Sequence, residues 1–321
     1  MTEWISSQPT PDPVAPAGAA PLVLAAEITA RLSTQLSHVR LHGYRSPGPR
    51  RPASGSGGAP GGAPDGAPDG ATPTLVAVAH GSRDPRALPT VRALLDRVRA
   101  LRPDLPVRLG HIELNRPRLA DVLAELSGRA VLVPLLFGHG YHVTHDLPAA
   151  LAAAPHLDGT VAAPLGPHSL LVEALYGRLL EAGFPDAPAR ARTAVVLASA
   201  GSRAARSGED TARLARLLSA RLGGVPVLPA FASAATPTVP EAVRLLTARG
   251  YDRIALASCF TAPGRFAAEC AAHAPGAAAA PLGDHPALAR LVLHRYDEAV
   301  ARVSGHAPAP AHHRALAPAH G

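Results

Sequence analysis

Three polar side chains stand where chemistry could be done: His80, Glu113 and His142. Two imidazoles and a carboxylate form a donor set suited to a borderline divalent cation such as Fe2+ or Co2+. The same set can move protons, because histidine titrates near neutrality and a neighbouring carboxylate raises its basicity. In LVAVAHGSRDPR (75–86), five apolar residues run straight into His80, Gly81, Ser82 and Arg83, which reads as a buried strand emptying into a turn. Glu113 and His142 likewise lie at or just past the ends of apolar runs. Ligands collect at the carboxyl ends of parallel strands in an open α/β sheet, so all three residues are expected on one rim. His139 and His145 flank His142 and read as loop histidines in water.

The elements that must position this trio alternate along the chain. Strands are expected at 75–79, 107–112, 130–136 and 160–163, and helices at 90–101, 118–126, 146–153 and 168–181. That βαβ series predicts a doubly wound parallel sheet covered on both faces. The pattern then repeats. AVVLASAGSRAARSG echoes the first strand and turn, VPVLPAFASAATPTV echoes LPVRLGHIELNRPRL, RIALASCFTAPGRF echoes AVLVPLLFGHGYHV, and AAPLGDHPALARLV echoes AAPLGPHSLLVEAL. The offsets agree: 120 residues from Gly81 to Gly201 and from Pro106 to Pro226, 123 from Phe137 to Phe260, and 117 from Gly166 to Gly283. Ordered matches at one period signify an internal duplication, hence two similar α/β lobes facing a cleft. Where the first lobe has His80, Glu113 and His142, the second has Ala200, Ser233 and Arg265. The scaffold is shared while the chemistry is confined to one copy.

Boundaries follow from composition. Residues 1–73 form a Pro/Gly/Ala-rich extension that cannot bury enough apolar surface to offset its ordering entropy. Within it, Leu22, Ile28, Leu32 and Leu36 mark a short amphipathic stripe at 21–40. The lobes are expected at 74–185 and 190–303. A tail at 304–321 carries His306, His312, His313 and His320, a composition that binds transition metals loosely or serves no function.

Hydrophobic residues make up 47% of the chain and aromatic ones only 3%, so the cores are built from Ala, Leu and Val. All 31 basic residues are arginine, which removes the phosphate-binding lysine of a P-loop ATPase and any Schiff-base lysine. The net charge of +7 is scattered over helix faces, so no nucleic-acid partner is expected. No apolar run reaches membrane-spanning length, and Glu3 sits where an export signal would carry positive charge. Cys259 and Cys270 match no metal-cluster spacing. A reduced, cytoplasmic setting is expected.

HGSR after the first strand and PLLFGHGYHVTHDLP after the third closely resemble the sirohydrochlorin chelatases of the class II, ATP-independent type. Their motif couples a strand-end HGS with a G-x-H-x-x-x-D-[IL]-P element, here Gly140, His142, Asp146, Leu147 and Pro148. The likeness runs from Leu75 to about Val303. It implies insertion of Fe2+ or Co2+ into sirohydrochlorin, in sirohaem or cobalamin biosynthesis, with His80 and His142 as paired metal-binding and catalytic histidines and Glu113 as the associated acid. No tightly bound cofactor is implied. The duplicated chain would act as a monomer with two pseudo-symmetric lobes.

The chemistry suits the residues. A tetrapyrrole must lose its inner pyrrole protons as the metal enters, which requires a neutral base and a way to present the ion. Its carboxylates call for a polar, cationic cleft, for which the backbone amides of Gly81 and Ser82, with Arg83, Arg116 and, from the second lobe, Ser202 and Arg203, are candidates. Two other readings stay open: a chelatase for another tetrapyrrole, which the scarcity of aromatics disfavours, and a non-catalytic metal-binding or delivery protein. A histidine phosphatase is a poor fit, since Ala79 stands where an arginine should precede the histidine.

Overall fold

A strand with an unbroken apolar run must be covered on both faces, and β1 (Thr74–Ala79) is buried from Leu75 to Ala79. The computed structural model describes residues 72–185 and 192–305. The stripe at 21–40, most of the N-terminal extension and the tail histidines His306, His312, His313 and His320 lie outside the described residues. β1 pairs in parallel with β2 (Val107–His111) and β3 (Gly128–Pro134), and β3 with β4 (Leu157–Val161), giving the order β2-β1-β3-β4. Leu75 sits opposite both Val107 and Val131. The chain leaves β1 toward β2 on one side and returns to β3 on the other, so the carboxyl end of β1 is a topological switch point.

The second lobe repeats this arrangement with β5 (Thr193–Ser199), β6 (Val227–Phe231) and β7 (Arg253–Ser258) in the order β6-β5-β7. Its backbone repeats even the unusual conformations: φ is positive at Gly81 and Gly201, and at Leu114 and Ala234. The copy is incomplete at one edge. The repeat offset shrinks between Phe260 and Gly283, and the counterpart of β4 is reduced to a single bridge between Leu256 and Ala278.

Helices α1 (Ala87–Leu101), α2 (Leu119–Glu125), α3 (Leu147–Ala152) and α4 (Ser169–Glu181) belong to the first repeat. Helices α5 (Ala205–Arg221), α6 (Val239–Ala248), α7 (Arg265–Ala272) and α8 (Pro286–Val303) belong to the second. Strand alternation divides the apolar residues between two faces. Val76, Val78 and Leu132 pack outward against Leu119 and Leu123 of α2 and Leu147 of α3. Ala194, Val196 and Ala198 do the same against Val239, Ala242 and Leu246 of α6.

The inner faces of both sheets share one core, in which Leu75, Ala77, Val131 and Val133 join Val195, Leu197, Ala255 and Ala257. The repeats exchange their last helices to build it: α4 packs on β7 and α8 packs on β3. Leu171, Leu175 and Leu179 of α4 and Leu288, Leu291 and Val292 of α8 are fully buried, each worth about 1.5–3 kcal/mol of transfer free energy. Arg178 of α4 seals the exchange by donating from Nε and Nη2 to the Leu282 carbonyl at 3.1 and 2.8 Å. Neither lobe therefore completes its own core. No helix among the described residues is long and apolar enough to cross a membrane.

Candidate metal centre

Adjacent strands β1, β2 and β3 deliver the three expected residues to one place. His80 follows β1, Glu113 follows β2, and His142 opens a five-residue π-helical turn (His142–Asp146) at the end of the loop after β3. One ligand atom from each of His80, Glu113 and His142 lies within 4.8 Å of the other two. The two imidazoles meet edge to face with centroids 4.8 Å apart and planes at 84°. Metal–nitrogen bonds of about 2.1 Å hold ligand atoms no more than about 4.2 Å apart, so a cation would draw the trio inward by about half an ångström. His80 and Glu113 are exposed and His142 is half-buried, which leaves the rim open to a large flat ligand. The groove of about 480 Å3 bordered by Arg92, Arg99 and Arg108 contains none of the three residues.

Local backbone chemistry fixes each member. The Glu113 N–H donates to the His80 carbonyl at 2.9 Å, which ties the end of β2 to the end of β1. Gly81 makes that approach possible: at φ +106 an added Cβ would stand 2.0 Å from the Glu113 carbonyl oxygen. The second lobe keeps the same device, with Gly201 at φ +87 and 1.9 Å to the Ser233 carbonyl oxygen. Burial pushes the His111 imidazole below the usual histidine range. Its Nδ1 lies 3.1 Å from the Pro117 carbonyl, bracing the loop that carries Glu113.

Asp146 completes the orientation of His142. Its Oδ2 lies 2.6 Å from His142 Nδ1, so the Nδ1–H donates to the carboxylate and Nε2 is left as the ligand nitrogen. Such an outer carboxylate fixes the tautomer and the orientation of the ring. The signal was in the sequence: an H-x-x-x-D spacing places both side chains on one helical face. The helix expected at 146–153 is present as α3, and a π-helical turn that the spacing did not predict precedes it. Widened turns of this kind recur at functional sites.

The other expected residues are placed unevenly. The Ser82 N–H is taken by Asn115 Oδ1 at 2.6 Å, which corrects the expectation that this amide would greet a substrate carboxylate. Ser82 Oγ instead lies 3.2 Å from the position of a Cβ on Gly264, and Ser202 Oγ 3.6 Å from one on Gly140. Each GSR turn thus faces the loop after the third strand of the opposite lobe. Arg83 and Arg203 are exposed at equivalent places in these turns. Arg116 is drawn away toward Asp121 of α2, 3.5 Å distant.

His139 is not a histidine in water: its ring and backbone N–H both meet Asp210, a residue that no motif singled out. His145 is exposed and stacks on Tyr141 with centroids 4.5 Å apart. At the position of His142 the second lobe has Arg265, which pairs with Glu269 and lies over Phe266. Among the described residues no second cluster of ligating side chains occurs.

Comparison with known proteins bears on the family and the fold. The CbiX family model matches residues 74–182 and again 194–299. A sirohydrochlorin cobaltochelatase of Methanococcoides burtonii is 28% identical over 123 residues, covering 33% of this chain and 94% of that protein. One from Methanosarcina barkeri is 28% identical, covering 34% and 95%. Among solved structures, SirB from Bacillus subtilis with Fe3+ superposes with a TM-score of 0.60 at 23% identity, over 73% of this chain and 98% of that one. The cobalt complex of the sirohydrochlorin chelatase SirB from Bacillus subtilis subspecies spizizenii gives 0.58 at 19%, over 73% and 98%. The likeness to these structures is one of fold.

Proposed function

Because the chain belongs to the CbiX family, we propose that it inserts a divalent metal, Fe2+ or Co2+, into sirohydrochlorin without ATP. The observation that carries this reading is the convergence of His80, Glu113 and His142 at one strand-end rim. In the proposed reaction the trio holds the incoming ion, with His142 presenting Nε2 because Asp146 occupies Nδ1. The macrocycle lies across the open rim, and its peripheral carboxylates are met by arginines, of which Arg83 and Arg203 are the best placed. As the ion passes to the pyrrole nitrogens, the freed imidazoles and Glu113 accept the displaced protons. Formation of the metal–nitrogen bonds drives the step, which fits a chain without a phosphate-binding lysine.

Apart from Arg203, the second lobe acts as scaffold. It has Ala200, Ser233 and Arg265 where the first has its donors, while its helix α8 covers the inner face of the first sheet. A single chain is then a complete catalyst.

The test is anaerobic incubation of the full chain with sirohydrochlorin and each ion in turn, followed through the macrocycle's absorption spectrum. The proposed enzyme accelerates the spectral change. A metal carrier would bind the ion and leave the spectrum at the uncatalysed rate.

A further inference from the structure

The loop that carries His142 is held from outside its own lobe. Leu135 at the start of this loop accepts a hydrogen bond from Thr261 Oγ1 of the second repeat at 2.9 Å. Gly138 lies so close to α5 that an added Cβ would stand 3.0 Å from Ser207 Oγ. Between these points and His142, one carboxylate oxygen of Asp210 on α5 accepts two hydrogen bonds from His139. The backbone N–H donates at 3.0 Å and ring Nδ1–H at 2.7 Å. Both side chains are largely sheltered, at 22% and 13% exposure, so the contact is screened less than a surface pair.

The duplication shows that this clamp is a singular addition. At the repeat offsets, Asp210 corresponds to Thr90 and His139 to Ala262, so the equivalent loop of the second lobe has no such pair. The clamp occurs only where the loop carries a metal-site histidine. Nothing in the shared fold demands it, since the second lobe folds without it.

We infer that Asp210 is a positioning residue: through His139 it sets the loop so that His142 faces His80 and Glu113. This rests on the proposed role of those three residues and deepens it, because it assigns the second lobe a direct part in building the site. The chain of contact runs from Asp210 to His139, through Gly140 and Tyr141, to the π-helical turn whose own carboxylate, Asp146, orients the ring. Two carboxylates from two lobes thus bracket one imidazole along the chain.

The test uses the full chain and Co2+ alone, titrated anaerobically and read by visible absorption of the bound ion. Thermal unfolding and the KM and kcat of insertion are measured in parallel. Asp210→Ala should weaken Co2+ binding about tenfold, the lower end of what outer partners of metal ligands contribute. It should raise the KM for metal by a comparable factor and lower kcat less. Asp210→Asn, which keeps an acceptor for the two N–H groups, should recover most of the affinity. His139→Ala should match Asp210→Ala, and the double variant should be no worse than either, because the two act as one unit. Wild-type Co2+ affinity in Asp210→Ala would overturn the inference, as would a loss of affinity that appears only in proportion to lost folded protein. His80→Ala separates the two levels of argument. If it abolishes binding while Asp210→Ala does not, the metal site stands and the clamp fails; if it changes nothing, the site itself is misplaced.

Discussion

Replacing Gly81 by Ala puts the duplicated scaffold against itself, because Gly201 offers a matched control. At Gly81 a Cβ would stand 2.0 Å from the Glu113 carbonyl oxygen with φ at +106; at Gly201 it would stand 1.9 Å from the Ser233 carbonyl oxygen with φ at +87. A non-glycine residue held in such a conformation costs about 1–3 kcal/mol. The oxygen must also retreat by about 1 Å or more to reach ordinary contact distance. Each substitution should therefore destabilise the protein by about 2–4 kcal/mol, the order that strained backbone positions reach. For a protein of this size that lowers the unfolding midpoint by roughly 4–16 °C. The two variants should resemble each other in a thermal melt and differ in function. Gly81→Ala pushes Glu113 away from His80 and should cost Co2+ affinity and insertion at least tenfold, whereas Gly201→Ala strains the turn against Ser233, leaves the His80–Glu113 contact in place and should cost clearly less. The assays are differential scanning calorimetry and Co2+ titration at a temperature where both variants are folded. Equal losses of affinity in the two variants, or a Gly81→Ala protein as stable as wild type, would refute the reasoning.

Further outcomes follow from the same geometry. His80→Ala and His142→Ala should each abolish most insertion, and His80→Ala, at an exposed position, should leave the melt within about 0.5 kcal/mol of wild type. Ala200→His should create no second site, because Ser233 and Arg265 supply no further donors; a second equivalent of tightly bound Co2+ would contradict this. Asp146→Ala frees His142 Nδ1 and should weaken Co2+ binding about 10–100-fold, with Asp146→Asn intermediate; unchanged affinity would remove Asp146 from the site. A pH effect is expected from the exchanged helices. Burial, with Arg295 and His294 nearby, pushes His168 down to about 4, and burial beside Arg178 lowers His285 as well. Each ring accepts the N-cap hydrogen bond of its helix through Nδ1 and must stay neutral to do so. The unfolded chain binds these protons near 6.5 and the folded protein resists them, so stability falls as pH drops from 6.5 toward 4. A His168→Asn/His285→Asn double variant keeps capping acceptors and should flatten that part of the stability curve; an unaltered slope would count against it.

His80 and Glu113 were legible in the sequence because a strand-end position follows from a short apolar run alone, whereas His142, beyond a loop after β3, was legible through its G-x-H-x-x-x-D-[IL]-P motif. Adjacent parallel strands then bring such ends together without further information. The duplication was legible through Gly81/Gly201 and Phe137/Phe260, and it extends to positive φ at Leu114 and Ala234. Other features depend on tertiary contacts that no local pattern encodes. The residues of α4 and α8 read as ordinary amphipathic helices, and nothing in their spacing says that each covers the other lobe's sheet. Ser82 was expected to offer its amide to a ligand, but Asn115, thirty-three residues away, takes it. His139 resembled any loop histidine until Asp210 appeared beside it across the lobe boundary. The Asp146 contact was within reach, since an i, i+4 spacing on a helical turn is a local property.

The central claim is that one rim, whose donors His80, Glu113 and His142 all come from the first lobe, carries the whole of the chemistry. Single-turnover insertion with the His80→Ala/His142→Ala double variant measures it most directly, with sirohydrochlorin and Co2+ mixed anaerobically and the macrocycle spectrum followed in time. The account predicts a rate indistinguishable from the reaction without protein, while the variant's circular dichroism spectrum and melt remain those of the folded chain. Insertion at the wild-type rate by that folded variant would contradict it.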